Sequence, residues 1–338
     1  FEFRPGLRIR IAIPVLLFAV FNIWIAENQP IAIYKWLKVI EFVLLGWYIV
    51  RTKPKLSTII TPLSIGVLYS SILAIAQFFL QHSIGGPLWW LGERTFTLDT
   101  PGIARTDWYG RELLRPYATF PHPNVLGGYI AAILPLVISN FSRGAGSRFA
   151  GQFSIFKITT IIVGVVALLL TFSRSAIIIG FLGIVLAFRK KIFFPIVVVI
   201  AIGMVFLNLK NESIVVRQQL NVAAVKIWQS SPLFGVGLGN FLVRLPEALP
   251  TRTIYFLQPV HNIYLLLLSE VGVVGFLFFV WFLQKAFRRS FSIWHLAFGI
   301  LLVLGLVDHY PLTLQQGQLL LTILLGLTIL LRVNPERS

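Results

Sequence analysis

The 338-residue sequence predicts an all-α polytopic membrane protein with about ten transmembrane helices. Three observations carry that reading. Hydrophobic residues make up 57% of the chain and charged residues only 12%, with a mean hydropathy of +0.84. Apolar runs of about 17–22 residues recur along its length, close to the roughly 20 that a helix needs to cross hydrocarbon. Basic side chains gather at alternate junctions between those runs.

The runs lie near 9–26, 31–50, 59–80, 124–141, 153–171, 174–188, 192–208, 261–283, 293–308 and 317–331. Backbone polar groups in lipid must be satisfied within their own segment, so helices are expected and open sheets are excluded. The whole of 1–338 reads as a single integral-membrane domain, without repeat, low-complexity tract, cleavable signal peptide or soluble appendage. The chain opens at Phe1 rather than Met, consistent with a trimmed N-terminus.

The formal net charge of +17 would suit nucleic acid, but its distribution says otherwise. Arg4, Arg8 and Arg10 precede the first run, and Arg51, Lys53 and Lys55 follow the second. Arg143, Arg148 and Lys157 follow the fourth, Arg189 to Lys191 the sixth, and Lys285, Arg288 and Arg289 the eighth, while Arg332 and Arg337 close the chain. Short basic loops stay cytoplasmic, so both termini are expected inside a plasma (inner) membrane protein. The charge is a topology signal, and no nucleic acid partner is expected.

This topology leaves five connections outside: 27–30, 81–119, the turn at 172–174, 209–260 and 309–316. Loops as long as 81–119 and 209–260 are usually functional or disordered, and these two hold too many aromatic and aliphatic residues for disorder. The absence of cysteine excludes disulfides, thiolate chemistry and cysteine-held metal.

The first long loop contains Trp89, Trp90, Trp108 and Tyr109, suited to an interfacial aromatic belt. It ends in Arg115-Pro116-Tyr117-Ala118-Thr119-Phe120-Pro121-His122-Pro123-Asn124. Its prolines suppress helix until Asn124 can cap span four. Arg115, beside that helix start, is a candidate anion contact.

Thr171-Phe172-Ser173-Arg174-Ser175-Ala176 forms a tight outer turn. Arg174 either snorkels to the interface or clamps a phosphate against the amides that open span six. In the second long loop, helical spacing aligns Arg217, Asn221, Ala224 and Trp228 on one stripe, predicting a helix on or dipping into the outer surface. Ser231 through Phe241 carries three alternating glycines. With no strand before it, this is a close-packed turn rather than a nucleotide loop.

His261 opens the eighth run. An imidazole at the mouth of a membrane helix can exchange protons with water while facing a protein interior, which suits a general base. Asn262 follows it, and Tyr264, three residues on, shares its helix face. Glu270 lies on roughly the opposite face and is expected to pair internally. Asp308 and His309 form a second acid/base cluster. The five histidines have no metal-ligand spacing, so neither a metal nor another cofactor is expected.

Taken in order, Arg115–Gly128, Thr171–Ala176, Arg217 with Ser231–Phe241, and His261–Gly275 resemble the O-antigen ligase/polymerase superfamily of bacterial envelope glycosyltransferases. The likeness covers roughly residues 110–285. It implies a GT-C-like fold whose second long outer loop, 209–260, forms the active site facing the periplasm. It also implies a glycan donor on polyprenyl diphosphate and an acceptor that is a glycan or a lipid-anchored saccharide, with membrane lipid around both. By resemblance His261 would be the catalytic base, while Arg174 and Arg217 would hold the diphosphate; Arg115, from its place beside a helix start, is a further diphosphate candidate. Asn124, Asn262, Tyr264, Asp308 and His309 are secondary candidates for substrate contact. Metal-independent, inverting glycosyl transfer is the expected chemistry. The competing class is a membrane transporter or flippase for a lipid-linked saccharide, disfavoured because the polar residues gather at one surface rather than at the midplane.

Overall fold

The computed structural model describes residues 5–108, 110–143, 150–188, 211–249, 257–287 and 292–333. The span expected at 192–208 lies outside them. The described chain is mostly helical and divides into two compact units. One comprises Phe1–Thr52, Lys210–Ser290 and Gly305–Ser338; the other comprises Lys53–Leu209 and Phe291–Leu304.

The second unit contains α3 (Leu56–Leu80), a hairpin of β1 (Arg105–Trp108) and β2 (Arg111–Leu114), α4 (Pro123–Arg143), α5 (Ala150–Leu170), α6 (Arg174–Phe188), and α10 (Ile293–Leu304). Helix α4 is its centre: Leu126, Ile130, Ala131, Ala132, Ile133 and Leu134 are completely buried. It packs against α3, α5, α6 and α10. Small residues let α4 and α6 approach closely, as helices without a hydrophobic driving force between them require. A Cβ on Gly180 would stand 3.0 Å from Ala131, and one on Gly127 would stand 3.0 Å from Ala176.

The hairpin corrects the wholly helical expectation for this chain. Residues 81–119 are not a plain connection: Arg105 pairs with Leu114 and Trp108 with Arg111 in antiparallel register. Buried Glu93 fastens the loop by accepting from Gln77 and from the Ile84 and Gly85 amides, each at 2.8 Å. Gln77 in turn accepts from the Tyr117 and Ala118 amides.

The first unit contains α1 (Pro5–Trp24), α2 (Gln29–Thr52), α7 (Asn211–Ser230), α8 (Phe241–Ala248), α9 (Ile263–Phe287), α11 (Tyr310–Thr313) and α12 (Gln315–Val333). Helix α7 fulfils the prediction of a helix in the second long loop, but a different stripe packs. Leu220, Ala223, Ala224 and Ile227 join Val236, Phe241, Leu245, Val260 and Leu266 in one buried cluster, while Asn221 is exposed.

Helix α9 is broken in mid-run at Gly272, where φ is 64° and ψ is −172°. An unbroken helix would pair the amides of Val273 and Val274 with the carbonyls of Ser269 and Glu270. Instead those amides donate to Pro232 and Leu233, and those carbonyls accept from Val236 and Gly237. The glycine-bearing loop thus replaces two internal bonds with four. Backbone left unpaired in hydrocarbon costs several kcal/mol per group, so a break in a span survives only where protein fills it. Asn22 reinforces the join by donating to the carbonyls of Phe234 and Glu270. Glu270, expected to pair internally, accepts from the Phe241 amide at 3.3 Å.

Two helices among the described residues, Leu56–Leu80 and Ile263–Gln284, are long and apolar enough to cross a membrane, and six shorter apolar helices accompany them. Large apolar side chains such as Leu16, Trp24, Leu37 and Val43 face outward from α1 and α2. That arrangement fits insertion into lipid.

Candidate active site

In the first unit, the segment after α10 returns to the start of α9. Span nine was expected to reach 308, but its helix stops at Leu304, which frees Gly305 through His309 to turn. The Ile263 amide donates to the Gly305 carbonyl at 2.8 Å, tethering the two segments. Asn262 caps α9: its Oδ1 accepts from the amides of Tyr264 at 2.9 Å and Leu265 at 3.1 Å. Asn and Asp suit this position because a short side-chain oxygen satisfies amides that have no intrahelical partner. This cap sets the direction of His261 immediately before it.

His261 is brought within reach of Asp308, 47 positions away. Its Nδ1 lies 3.7 Å from Asp308 Oδ1, with side-chain exposures of 17% and 9%. That Nδ1 is buried and has no hydrogen-bond partner. The gap is too long for a hydrogen bond, yet acid/base contacts commonly tighten only when substrate arrives. The His309 ring stands 5.0 Å from that of His261, centroid to centroid. Its Nδ1 is 2.6 Å from Thr313 Oγ1, and its amide donates to Asp308 Oδ1 at 2.8 Å.

Arg217 enters this cluster from α7. Its Nη1 donates to the Val307 carbonyl at 2.7 Å, which fixes a permanent cation beside the two imidazoles. Burial pushes His309 down to about 4, with opposition from Asp308 and reinforcement from His261 and Arg217. His309 is therefore neutral near neutral pH. Tyr264, half-buried, lies in the first turn of α9.

His261, Asp308 and His309 could also ligate a metal ion, since one donor atom from each lies within 4.8 Å of the others. Sequence spacing gave no hint of this, because the two histidines come from segments 48 positions apart. The nearby guanidinium disfavours a dication.

The second unit holds the remaining candidates. Arg115 donates through Nε to the Thr171 carbonyl and through Nη2 to Asn124 Oδ1, both at 2.7 Å. It braces the 171–174 turn against the start of α4. Asn124 was expected to cap that helix, but Pro123 is its first residue and His122 takes the capping place. The Asn124 amide donates to His122 Nδ1 at 3.1 Å. Proline suits the first helical position, where its missing N–H would have had no partner. Asn124 Oδ1 is thereby left to Arg115. Arg174 is the first residue of α6 and is exposed, while Ser173 begins the helix by accepting from Ile177 at 2.8 Å.

The sequence reading missed two parts of the first cluster: the Val307 carbonyl under Arg217 and Thr313 under His309. No local pattern flags a backbone carbonyl as the anchor of a side chain 90 residues away.

The described chain is largely helical and apolar, which fits insertion into a membrane, and it sets an imidazole 3.7 Å from a carboxylate near an anchored guanidinium. Residues 159–280 match the family model described as O-antigen ligase, and over that segment the chain is similar to the O-antigen ligase/polymerase superfamily. The match includes Arg174, Arg217 and His261 but stops short of Asp308 and His309. No curated protein matches the chain. The family implies an O-antigen ligase- or polymerase-type glycan transferase acting on lipid-linked glycan.

Proposed function

We propose that the protein is a metal-independent, inverting glycosyltransferase, working at the outer face of the membrane on a glycan carried by polyprenyl diphosphate. The observation that carries this reading is the buried, unpartnered Nδ1 of His261, held 3.7 Å from Asp308 with Arg217 anchored next door. Asp308 favours the tautomer whose proton sits on Nδ1, leaving Nε2 as the base.

Nε2 takes the proton from an acceptor sugar hydroxyl. The hydroxyl oxygen bonds to the anomeric carbon as the carbon–oxygen bond to the diphosphate breaks. The departing polyprenyl diphosphate gathers negative charge. Arg217 stabilises it, and the family resemblance assigns Arg174 the same task. The new imidazolium is then stabilised by the Asp308 carboxylate. One displacement inverts the anomeric centre. Arg115 and Asn124 support the turn from which Arg174 projects. The acceptor is either a lipid-anchored saccharide, as for a ligase, or another glycan chain, as for a polymerase.

Transport is the weaker reading. Broken helices do mark transporter substrate sites, but loop 232–237 consumes the backbone groups freed at Gly272.

The test is transfer by the full chain in proteoliposomes, supplied with lipid-linked glycan and a chelator. His261→Ala should lower the transfer rate by about 10²–10⁴-fold, the worth of a positioned base, while leaving insertion intact. Arg174→Lys and Arg217→Lys should each slow it too, because a point charge cannot reproduce a forked contact. Substantial transfer by His261→Ala removes the base assignment. Chelator-sensitive transfer restored by a divalent ion would instead make His261, Asp308 and His309 metal ligands.

A further inference from the structure

Trp108 was read from sequence as one of several interfacial aromatics, together with Trp89 and Trp90. The structure separates them. Trp89 and Trp90 pack on each other, 4.7 Å between centroids. Trp108 instead packs edge-on against Phe172, at 5.7 Å and 77°, in the turn that leads into Arg174. Phe78 supports Phe172 from α3, at 5.9 Å.

Two features of this group stand out. The hairpin anchors itself through its other face: Leu114 is completely buried against Phe96 and Tyr117, and successive strand residues alternate between faces. Trp108 is not needed for that, and it remains 44% exposed. Phe172 has φ of 49°, a left-handed conformation at the end of α5 where glycine is the usual residue. A phenylalanine held there pays in strain, and strained positions persist where the surroundings dictate them and cluster at functional sites.

The surroundings do dictate it. Arg115 grips the Thr171 carbonyl at 2.7 Å, Thr171 Oγ1 donates to the Leu168 carbonyl at 2.6 Å, and Ser173 accepts from Ile177. Exposed Arg174 leaves this turn two residues after Phe172. Arg111, cross-strand from Trp108 and therefore on its face of the hairpin, is exposed as well.

We propose that Trp108 and Phe172 form a stacking platform for a pyranose ring of the phosphate-bearing glycan, with Arg174 taking the adjoining phosphate. The chemistry is specific. One face of a pyranose presents C–H groups with partial positive charge, which sit on the negative face of an aromatic ring. Cations beside the rings select a saccharide that also carries negative charge. The proposal rests on the glycan-transfer reading and names a sugar subsite within it.

The experiment uses the full chain in lipid nanodiscs, with two probes measured separately. Methyl glycosides of hexoses and N-acetylhexosamines report sugar stacking through saturation transfer to their ring protons, and inorganic pyrophosphate reports the cationic contact. Wild type should transfer saturation to the sugar C–H protons. Trp108→Ala should reduce that signal by about five- to tenfold, and Trp108→Phe should recover most of it. Phe172→Gly, which suits the positive φ while removing the ring, should raise thermal stability and weaken sugar contact. Pyrophosphate binding should survive Trp108→Ala and fall in Arg174→Ala. Sugar signals that ignore both aromatic substitutions, as expected for a mere lipid anchor, overturn the platform. Pyrophosphate binding without any sugar signal overturns it while leaving the diphosphate reading intact. Sugar signals that depend on Trp108, without pyrophosphate binding, uphold the platform and sink the diphosphate role of Arg174.

Discussion

The corner at His261 and the turn at Thr171–Arg174 both carry basic side chains beside the ends of apolar helices, yet they are built in opposite ways. At the first, the polar atoms are turned inward: Asp308 is buried, and the Nδ1 of His261 is enclosed without a partner. At the second, Arg115 and Thr171 spend their polar atoms on bracing the turn, and the guanidinium of Arg174 is left exposed. The difference follows from the chemistry each can do. An imidazole that acts as a base through Nε2 needs its Nδ1–H aimed at a shielded carboxylate, and enclosing both groups costs stability. A guanidinium never gives up its charge, so its position can be stiffened from behind while its face stays open.

The largest way to sharpen that contrast is to weaken the charge behind the imidazole. Asp308→Asn keeps size and the hydrogen bond from the His309 amide but removes the carboxylate. The expected loss in transfer rate is at least about tenfold, short of the roughly 10⁴-fold seen where a carboxylate fully sets the tautomer. Asn124→Ala, which removes the equivalent brace behind Arg174, should raise the substrate KM and leave the pH–rate profile unchanged. An Asp308→Asn variant with wild-type rate and profile would reduce Asp308 to packing, and the contrast would fail.

A second way concerns how each region is held. The corner at His261 depends on α9, and α9 depends on the loop that fills its break. Gly235 has φ of 71°, and a Cβ there would collide with the backbone of Glu270 and Val271. Gly235→Ala should therefore destabilise the fold by more than about 2 kcal/mol, because both strain and overlap oppose it. Thermal unfolding of the reconstituted chain measures this. A near-wild-type melt would mean that the break at Gly272 does not need its filling loop.

How much of this was legible beforehand depends on range. The span near 59–80 followed directly from apolar run length, and the run at 174–188, short for a span, is helical as well. His261, Arg174 and Arg217 were visible as isolated polar residues at the ends of such runs. The pairing of His261 with Asp308 was not: both residues were candidates, but only the early stop of α10 at Leu304 lets Asp308 turn toward α9. The hairpin at 105–114 escaped notice because its strands are four residues each, too short for a period-two pattern to stand out. The helix break at Gly272 was hidden inside Val271-Gly272-Val273-Val274-Gly275, which reads as continuous apolar sequence. A glycine that breaks a helix and one that lets helices touch look alike until their partners are known.

The smallest expected effect separates the two regions by pH. His309 takes a proton near 6.5 when unfolded but only near 4 within the corner. Between those values the unfolded chain binds more protons than the folded one, so stability falls as pH drops through the window. The contribution is whole above about pH 6.5 and gone below about pH 4, and burial of a neutral ring sets its upper limit at about 3 kcal/mol. His309→Gln, which can still reach Thr313, should flatten the change in melting temperature between about pH 7 and pH 5 relative to wild type. Equal slopes in the two proteins would place the acid sensitivity elsewhere and leave His309 as a packing residue.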